Sequence, residues 1–447
     1  MVNNAIILLK IAIERIAMKR KIEQDLLAWK NNPRRKPLLL NGARQTGKTY
    51  ALNAFGKDHY EDLVYFNLEK SSKAAEIFQG DIDPERIIGL LSTLSGRQIK
   101  PGKTLLFLDE IQAAQRALTS LKYFQEDAPQ YHVVAAGSLL GIAVSRKRIS
   151  FPVGKVDMMT LYPMDFEEFC WAMDSQLLSE AIREHYESMQ SFPLHDLAMG
   201  LYRQYLVVGG MPEVVLHFSQ NRDYAGITAI QETIMDSYIA DVTKYADASE
   251  MVRILEAYRS LPRQLLKVNH KFQYSAIQSG ARASVFRYPL EWLEVAKLAI
   301  RCNQITEGFV PVMAFEEPES FKLYMSDVGL LCAKLDVNPF DILEDTMTST
   351  LFRGALAENY IAQHLSSAGF KPKYWGRPRY AEVDFVITEA HGSVVPIEVK
   401  SGINVRSKSL TIFNEKYQTD YAVRFSAKDF GFENRIKSLP LYAAFCL

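Results

Sequence analysis

Gly42, Ala43, Arg44, Gln45, Thr46, Gly47, Lys48 and Thr49 spell GARQTGKT, with Tyr50 directly behind. The spacing GxxxxGKT suits a polyphosphate. Glycines let successive backbone N–H groups turn inward with no Cβ in the way, and a helix starting near Lys48 points its positive end at the same charge. The Lys48 ammonium has the reach for the β- and γ-phosphates, and the Thr49 hydroxyl is a magnesium ligand. Downstream, the apolar run Thr104-Leu105-Leu106-Phe107-Leu108 ends in Asp109 and Glu110. Asp109 is expected to hold the same magnesium as Thr49, and Glu110 to orient or deprotonate the attacking water. Ser138, just past the apolar stretch 133–136, is a candidate sensor of the γ-phosphate or of that water. Together the two motifs predict binding and hydrolysis of ATP with Mg2+. Spacing singles out no arginine for the transferring phosphoryl group. Arg146, Arg148 and Arg203 are candidates, each more often a solvated surface charge, and Arg44 is expected to brace the loop or touch a neighbour.

A second constellation lies near the C-terminus. Glu358 falls in a helical stretch, Asp384 in Glu382-Val383-Asp384-Phe385-Val386-Ile387, and Glu398 and Lys400 in Pro396-Ile397-Glu398-Val399-Lys400. Two residues apart on one strand, Glu398 and Lys400 project on one face. Glu358, Asp384, Glu398 and Lys400 suit an activated water for phosphodiester cleavage, with Asp384 and Glu398 as ligands of a magnesium ion. The competing reading is surface charge on amphipathic strands. The apolar neighbours Val383, Phe385, Ile397 and Val399 weaken it, because charges embedded in apolar strands usually have a partner or a metal.

These groups need scaffolds. Strand-like runs at 37–40, 63–68, 104–109 and 133–137 alternate with helical stretches, which predicts a doubly wound parallel sheet with ligands at the carboxyl ends of its strands. The chain then reads as almost wholly helical from 166 to 265, broken at Gly209-Gly210-Met211-Pro212. A compact segment follows: helix 274–278, a turn at Gly280, helix 283–299, then short strands 299–305 and 321–325. That is the order of a winged-helix module. Pro289 falls inside its second helix or starts a shortened one. Last come a helix at 353–368 and strands at 373–375, 382–388, 394–399 and 421–425. The expected fold class is α/β in four parts: an N-terminal helix (1–35), a P-loop NTPase domain (36–165), a helical and winged-helix-like middle (166–345) and a terminal α/β domain (346–447).

Composition narrows the partners. Lys+Arg and Asp+Glu balance at 52 each, so any polyanion site must be local. Cys170, Cys302, Cys332 and Cys446 form no CxxC pair, which fits a reducing compartment without structural zinc. The apolar stretch 5–17 is broken by Lys10 and Glu14 and is too short to span a bilayer, so an amphipathic packing helix and a cytoplasmic protein without membrane attachment are expected.

With Gly137-Ser138, Tyr162-Pro163-Met164-Asp165-Phe166-Glu167-Glu168-Phe169, Tyr205-Leu206-Val207-Val208-Gly209-Gly210-Met211-Pro212, Phe321-Lys322-Leu323-Tyr324-Met325-Ser326-Asp327-Val328-Gly329-Leu330 and Ile397-Glu398-Val399-Lys400-Ser401-Gly402 added, the chain resembles one family from about residue 16 onwards. It is the prokaryotic AAA-type ATPases whose C-terminal half is a domain of unknown function. The resemblance implies an ATPase core, a winged-helix-like middle and a terminal domain similar to the PD-(D/E)XK restriction-endonuclease fold, onto whose motif Glu358, Asp384, Glu398 and Lys400 map. One departure stands out: members often carry Gly-Arg where this chain has Gly154-Lys155, and lysine lacks the planar fork of arginine. Two functions remain in contention. One is an ATP-driven machine acting on DNA, with Lys267, Lys271, Arg282 and Arg287 as candidate phosphate contacts. The other is an ATP-controlled switch or scaffold that binds protein partners or itself.

Overall fold

The computed structural model describes residues 19–138, 151–267, 271–346, 349–377, 381–403 and 408–447. The expected N-terminal amphipathic helix at 5–17 and the candidates Arg146 and Arg148 lie outside the described residues. The chain divides into two compact units, one of them Arg20–Tyr162 with Val295–Lys297.

In that unit five strands, β1 (Leu38–Asn41), β2 (Asp62–Asn67), β3 (Thr104–Asp109), β4 (His132–Ala136) and β5 (Asp157–Thr160), form a sheet in the order β2-β3-β4-β1-β5. Every pairing is parallel. Parallel strands need crossovers, and helices supply them on both faces. Side chains alternate between those faces. Leu39, Val64, Phe66, Leu106, Leu108, Val133 and Ala135 pack against the helices Pro84–Ser95 and Gln115–Asp127. Leu38, Leu40, Leu105, Phe107, Val134 and Ala136 pack against Ile22–Asn31 and Lys48–His59. Burial on both sides explains why β3 and β4 read as unbroken apolar runs. Asn67 pairs with Asp109, and Leu40 with Ala136, so the carboxyl ends of β1, β2, β3 and β4 share one edge.

The other unit includes Pro163–Glu294 and Leu298–Leu447. Its first part is helical, as expected, from Phe166–Ala172 to Ala248–Leu265, with the break at Gly209 and Gly210. The break is built around Asp327. This buried carboxylate accepts from Gly210 N at 2.7 Å and Leu330 N at 2.9 Å, and from Gly329 N. Gly329 packs so tightly on the break that a Cβ there would meet Val208 O and Gly209 N at 2.5 Å. The Gly-Gly-Met-Pro and Ser-Asp-Val-Gly motifs are thus two sides of one contact.

Eight strands complete this unit: β6 (Ala299–Ile305), β7 (Glu316–Met325), β8 (Lys373–Arg377), β9 (Ala381–Thr388), β10 (Val394–Val399), β11 (Ala422–Ser426), β12 (Gly431–Glu433) and β13 (Ile436–Pro440). Their order is β12-β13-β11-β10-β9-β8-β6-β7. The hairpin expected as a wing is present as antiparallel β6 and β7, and β6 also pairs in parallel with β8. The strands of the middle and terminal segments therefore belong to one sheet. The expected helix at 274–278 is only a 3-10 turn, Tyr274–Ala276. Gln264 explains the difference, because its side-chain amide bonds both Gln273 N at 3.0 Å and Gln273 O at 2.9 Å and holds that residue extended. The following helix, Ala283–Val295, keeps Pro289 in its interior.

Candidate functional site

The loop after β1 is shaped by backbone that side chains other than glycine's adopt poorly. Gly47 has φ 90°, and Gly42 lies so close to Leu161 that a Cβ would meet the Leu161 carbonyl oxygen at 2.3 Å. The helix Lys48–His59 starts at Gly47 without a side-chain cap and with no acid in its first turn, so its positive end faces the loop. Lys48, buried, donates to the carbonyls of Gly42 at 3.0 Å and Ala43 at 2.7 Å. A lysine resting on the loop's own carbonyls is already over the cradle a phosphate would fill. Arg44, Thr49 and Tyr50 are exposed, Gln45 and Gly47 half-buried, and Thr46 is buried and turns its hydroxyl to Ala43 O at 2.9 Å.

Thr49 Oγ1 donates to Asp109 Oδ2 at 2.9 Å, which brings the two expected magnesium ligands together at the edge shared by β1 and β3. A hydroxyl and a carboxylate this close fit a single hard cation. Glu110 follows with φ 50°, a left-handed conformation costing about 1 kcal/mol for a residue with a side chain. Its N–H closes on Asp109 Oδ1 at 3.0 Å. Burial pushes the Glu110 carboxyl up, against the hydrogen bond from Gln112 and the charge of Lys48. A raised carboxyl held in a strained turn has the character of a proton acceptor for water. Ser138 is buried just past the end of β4, at the same edge.

Three participants escaped the sequence reading. Tyr65 on β2 donates its hydroxyl to Asp109 Oδ2 at 3.0 Å. Gln112 donates its side-chain amide to Glu110 Oε2. Arg20, buried, anchors the loop from behind through Thr46 O at 2.9 Å and Tyr162 O at 2.7 Å. Of the other cations considered, Arg203 pairs with Asp345 at 3.6 Å and Lys155 with Glu126 at 2.8 Å. Gln112 is hydrogen-bonded to Glu110, and a positioning role for it is expected. Gln112→Ala is expected to lower kcat on the order of tenfold with KM for ATP little changed. It should also move the acid limb of the kcat–pH profile upward, because the amide offsets the effect of burial on Glu110. A raised KM with an unmoved profile contradicts that role.

The terminal residues also converge. Asp384 Oδ2 accepts from Val399 N at 2.8 Å, and Lys400 pairs with Glu398 at 2.8 Å. Glu358 comes from the helix Thr350–Ser367, and its Oε1 accepts from Lys322 Nζ at 3.0 Å and from Tyr324 Oη at 2.5 Å. Lys322, on β7 and 1% exposed, also reaches Glu382 at 2.9 Å. Burial, reinforced by the Glu358 charge, pushes the Asp384 carboxyl up to about 7. Burial works against the charges of Lys322 and Lys400, and the surrounding carboxylates outweigh it, so both are raised. Glu398 is buried, and its Oε2 has no hydrogen-bond partner. Among the described residues no three carboxylate, imidazole or thiol groups stand together so as to hold an ion. An ion here would rest on two carboxylates, Asp384 and Glu398, which is common for magnesium. The orphaned oxygen of Glu398 fits it. Lys322 was legible in sequence by the signal that pointed to Asp384, a charge inside an apolar strand.

Comparison with known proteins assigns the segment that carries the first site to a family. Residues 34–170 match the family described as AAA domain. Residues 199–341 and 353–444 match two families described as domains of unknown function, DUF8612 and DUF4143. No curated protein matches the chain. Among solved structures, the Walker-type ATPase PABY2304 of Pyrococcus abyssi is 14% identical over 71% of this chain and 95% of its own, with a TM-score of 0.43. The ORC2 protein of Aeropyrum pernix in its ADPNP–ADP complexes is 12% identical over 76% and 94%, at 0.36. A variant of Thermotoga maritima RuvB is 15% identical over 63% and 88%, at 0.31. Likenesses this loose say nothing of substrate or partner. Residues 34–170 thus form an AAA-type P-loop ATPase domain. No helix of the described residues is long and apolar enough to cross a membrane.

Proposed function

We propose that the protein binds and hydrolyses ATP with magnesium at the loop Gly42–Thr49 and uses the cycle to act on or near DNA through its middle and terminal segments. The observation that carries the first half is the 2.9 Å contact between Thr49 and Asp109 beside a half-buried Glu110. Lys48 and the first-turn N–H groups hold phosphate oxygens, Thr49 and Asp109 hold magnesium, and Glu110 takes the proton of the attacking water while Ser138 lies at the same edge. When bound, magnesium would supply charge neutralisation at the phosphates.

The DNA half is supported by the terminal cluster, whose carboxylates and Lys400 are of the kinds phosphodiester chemistry employs. Lys267, Lys271, Arg282 and Arg287 lie on the adjoining middle segment as candidate backbone contacts. Salt-titrated anisotropy with labelled duplex and single-stranded DNA, with and without ATP, tests it. Binding is expected to weaken steeply with salt, and Lys400→Ala is expected to reduce ATP-dependent binding or cleavage. Absence of any salt-sensitive DNA binding by the wild-type chain overturns the DNA half and leaves the ATPase standing. The second reading, an ATP-controlled switch with a silent terminal site, is favoured by one observation: Lys322 already neutralises Glu358 and Glu382.

A further inference from the structure

A buried lysine between two carboxylates does what a metal ion does, and the terminal cluster has one. Lys322 Nζ bridges Glu358 at 3.0 Å and Glu382 at 2.9 Å while only 1% exposed. We propose that the Lys322 ammonium occupies the place of a second cation in this cluster, so that Asp384 and Glu398 take one divalent ion and no more. The inference rests on the reading of the terminal cluster as a metal site.

Three observations lead there. Lys322 and Tyr324 both engage Glu358 Oε1, so that oxygen already has two donors and is a poor ligand for a shared ion. It is in keeping with the lack, among the described residues, of a group of three metal-binding side chains. Charge gives the count. Glu358, Glu382, Asp384 and Glu398 carry four negative charges when ionised, and Lys322 and Lys400 carry two positive ones. The remaining two match one divalent ion, whereas a second ion beside Lys322 would leave a partly buried site two charges positive. With the Lys322 charge removed, one ion leaves the site one charge negative and two leave it only one positive. Lastly, Glu398 Oε2 is an acceptor without a hydrogen-bond partner on a residue 5% exposed, so the unmet demand is at the Asp384–Glu398 end, away from the oxygens that Lys322 holds.

Mn2+ is the probe, added to the full-length chain without nucleotide. The number of ions bound by the wild type, less the number bound by an Asp384→Asn/Glu398→Gln double variant, isolates the cluster from the nucleotide site. A difference of one is expected. A difference of two overturns the inference and leaves the metal-site reading intact, and a difference of zero overturns both. The ATPase reading is judged separately by nucleotide titration. Electron paramagnetic resonance of the wild type needs no variant: spin-coupled Mn2+ pairs about 4 Å apart, the spacing of two-metal sites, would contradict the proposal. In Lys322→Gln the count is expected to rise by one, and an unchanged count in a folded variant overturns the role given to Lys322. If that variant does not fold, the wild-type count and spectrum still decide.

Discussion

Glu110→Gln is expected to lower the ATP hydrolysis rate about a hundredfold or more while nucleotide affinity stays near that of the wild type. The amide keeps the size of the carboxylate and its place beside Gln112, and removes only the capacity to accept a proton from water. Because burial raises the Glu110 carboxyl, the wild-type rate should fall on the acid side as that group becomes protonated, at a pH above the ordinary glutamate range. The variant should lack this limb. Steady-state phosphate release across pH, with affinity measured in parallel, checks both statements. A variant that hydrolyses ATP at the wild-type rate removes Glu110 from the chemistry.

The largest effect on stability is expected at Asp327. Replacing it with alanine strands the N–H groups of Gly210, Gly329 and Leu330 inside the protein. At about 1–3 kcal/mol for each of the three orphaned donors, a loss of roughly 3–9 kcal/mol follows, a large part of the 5–15 kcal/mol typical of a folded domain. The effect has a defined pH dependence. Burial pushes the Asp327 carboxyl up to about 6, above its value near 4 in an unfolded chain. Between those values the folded protein keeps a proton that the unfolded chain releases. The stability linked to this group is therefore complete below about pH 4 and is lost as pH rises through 6. The gap between wild type and Asp327→Ala should widen as pH is lowered from 7 towards 5. Denaturant unfolding at both values tests it, and a gap that narrows contradicts the assignment.

What the sequence discloses follows from distance along the chain. Gly42 through Thr49 form one continuous segment, a loop and the first residues of the helix behind it, so the expected chemistry is readable in the string itself. Asp109 and Glu110 are readable because a strand buried on both faces must be apolar, and polar residues at its carboxyl end stand out. Tyr65 reaches Asp109 only through the pairing of β2 with β3, and Arg20 reaches Thr46 only through packing, so neither leaves a local mark. The middle segment shows the opposite limit. Its element order suggested a separate winged-helix module, yet β6 pairs with β8 across a long stretch of chain, and no periodicity announces that bond. In the terminal cluster the four expected residues converge. Lys322, which alters their charge balance, was visible in Phe321-Lys322-Leu323-Tyr324-Met325 but had no assigned partner until β7 and the helix Thr350–Ser367 came together.

Titration calorimetry of the wild-type chain with a non-hydrolysable ATP analogue and Mg2+ is the most direct test of the nucleotide site. Saturable binding of one analogue per chain, weakened without Mg2+ and lost in Lys48→Ala, is the predicted result. No binding to the wild type, or binding that Lys48→Ala leaves untouched, would contradict the assignment of Lys48, Thr49 and Asp109 to a triphosphate and its metal.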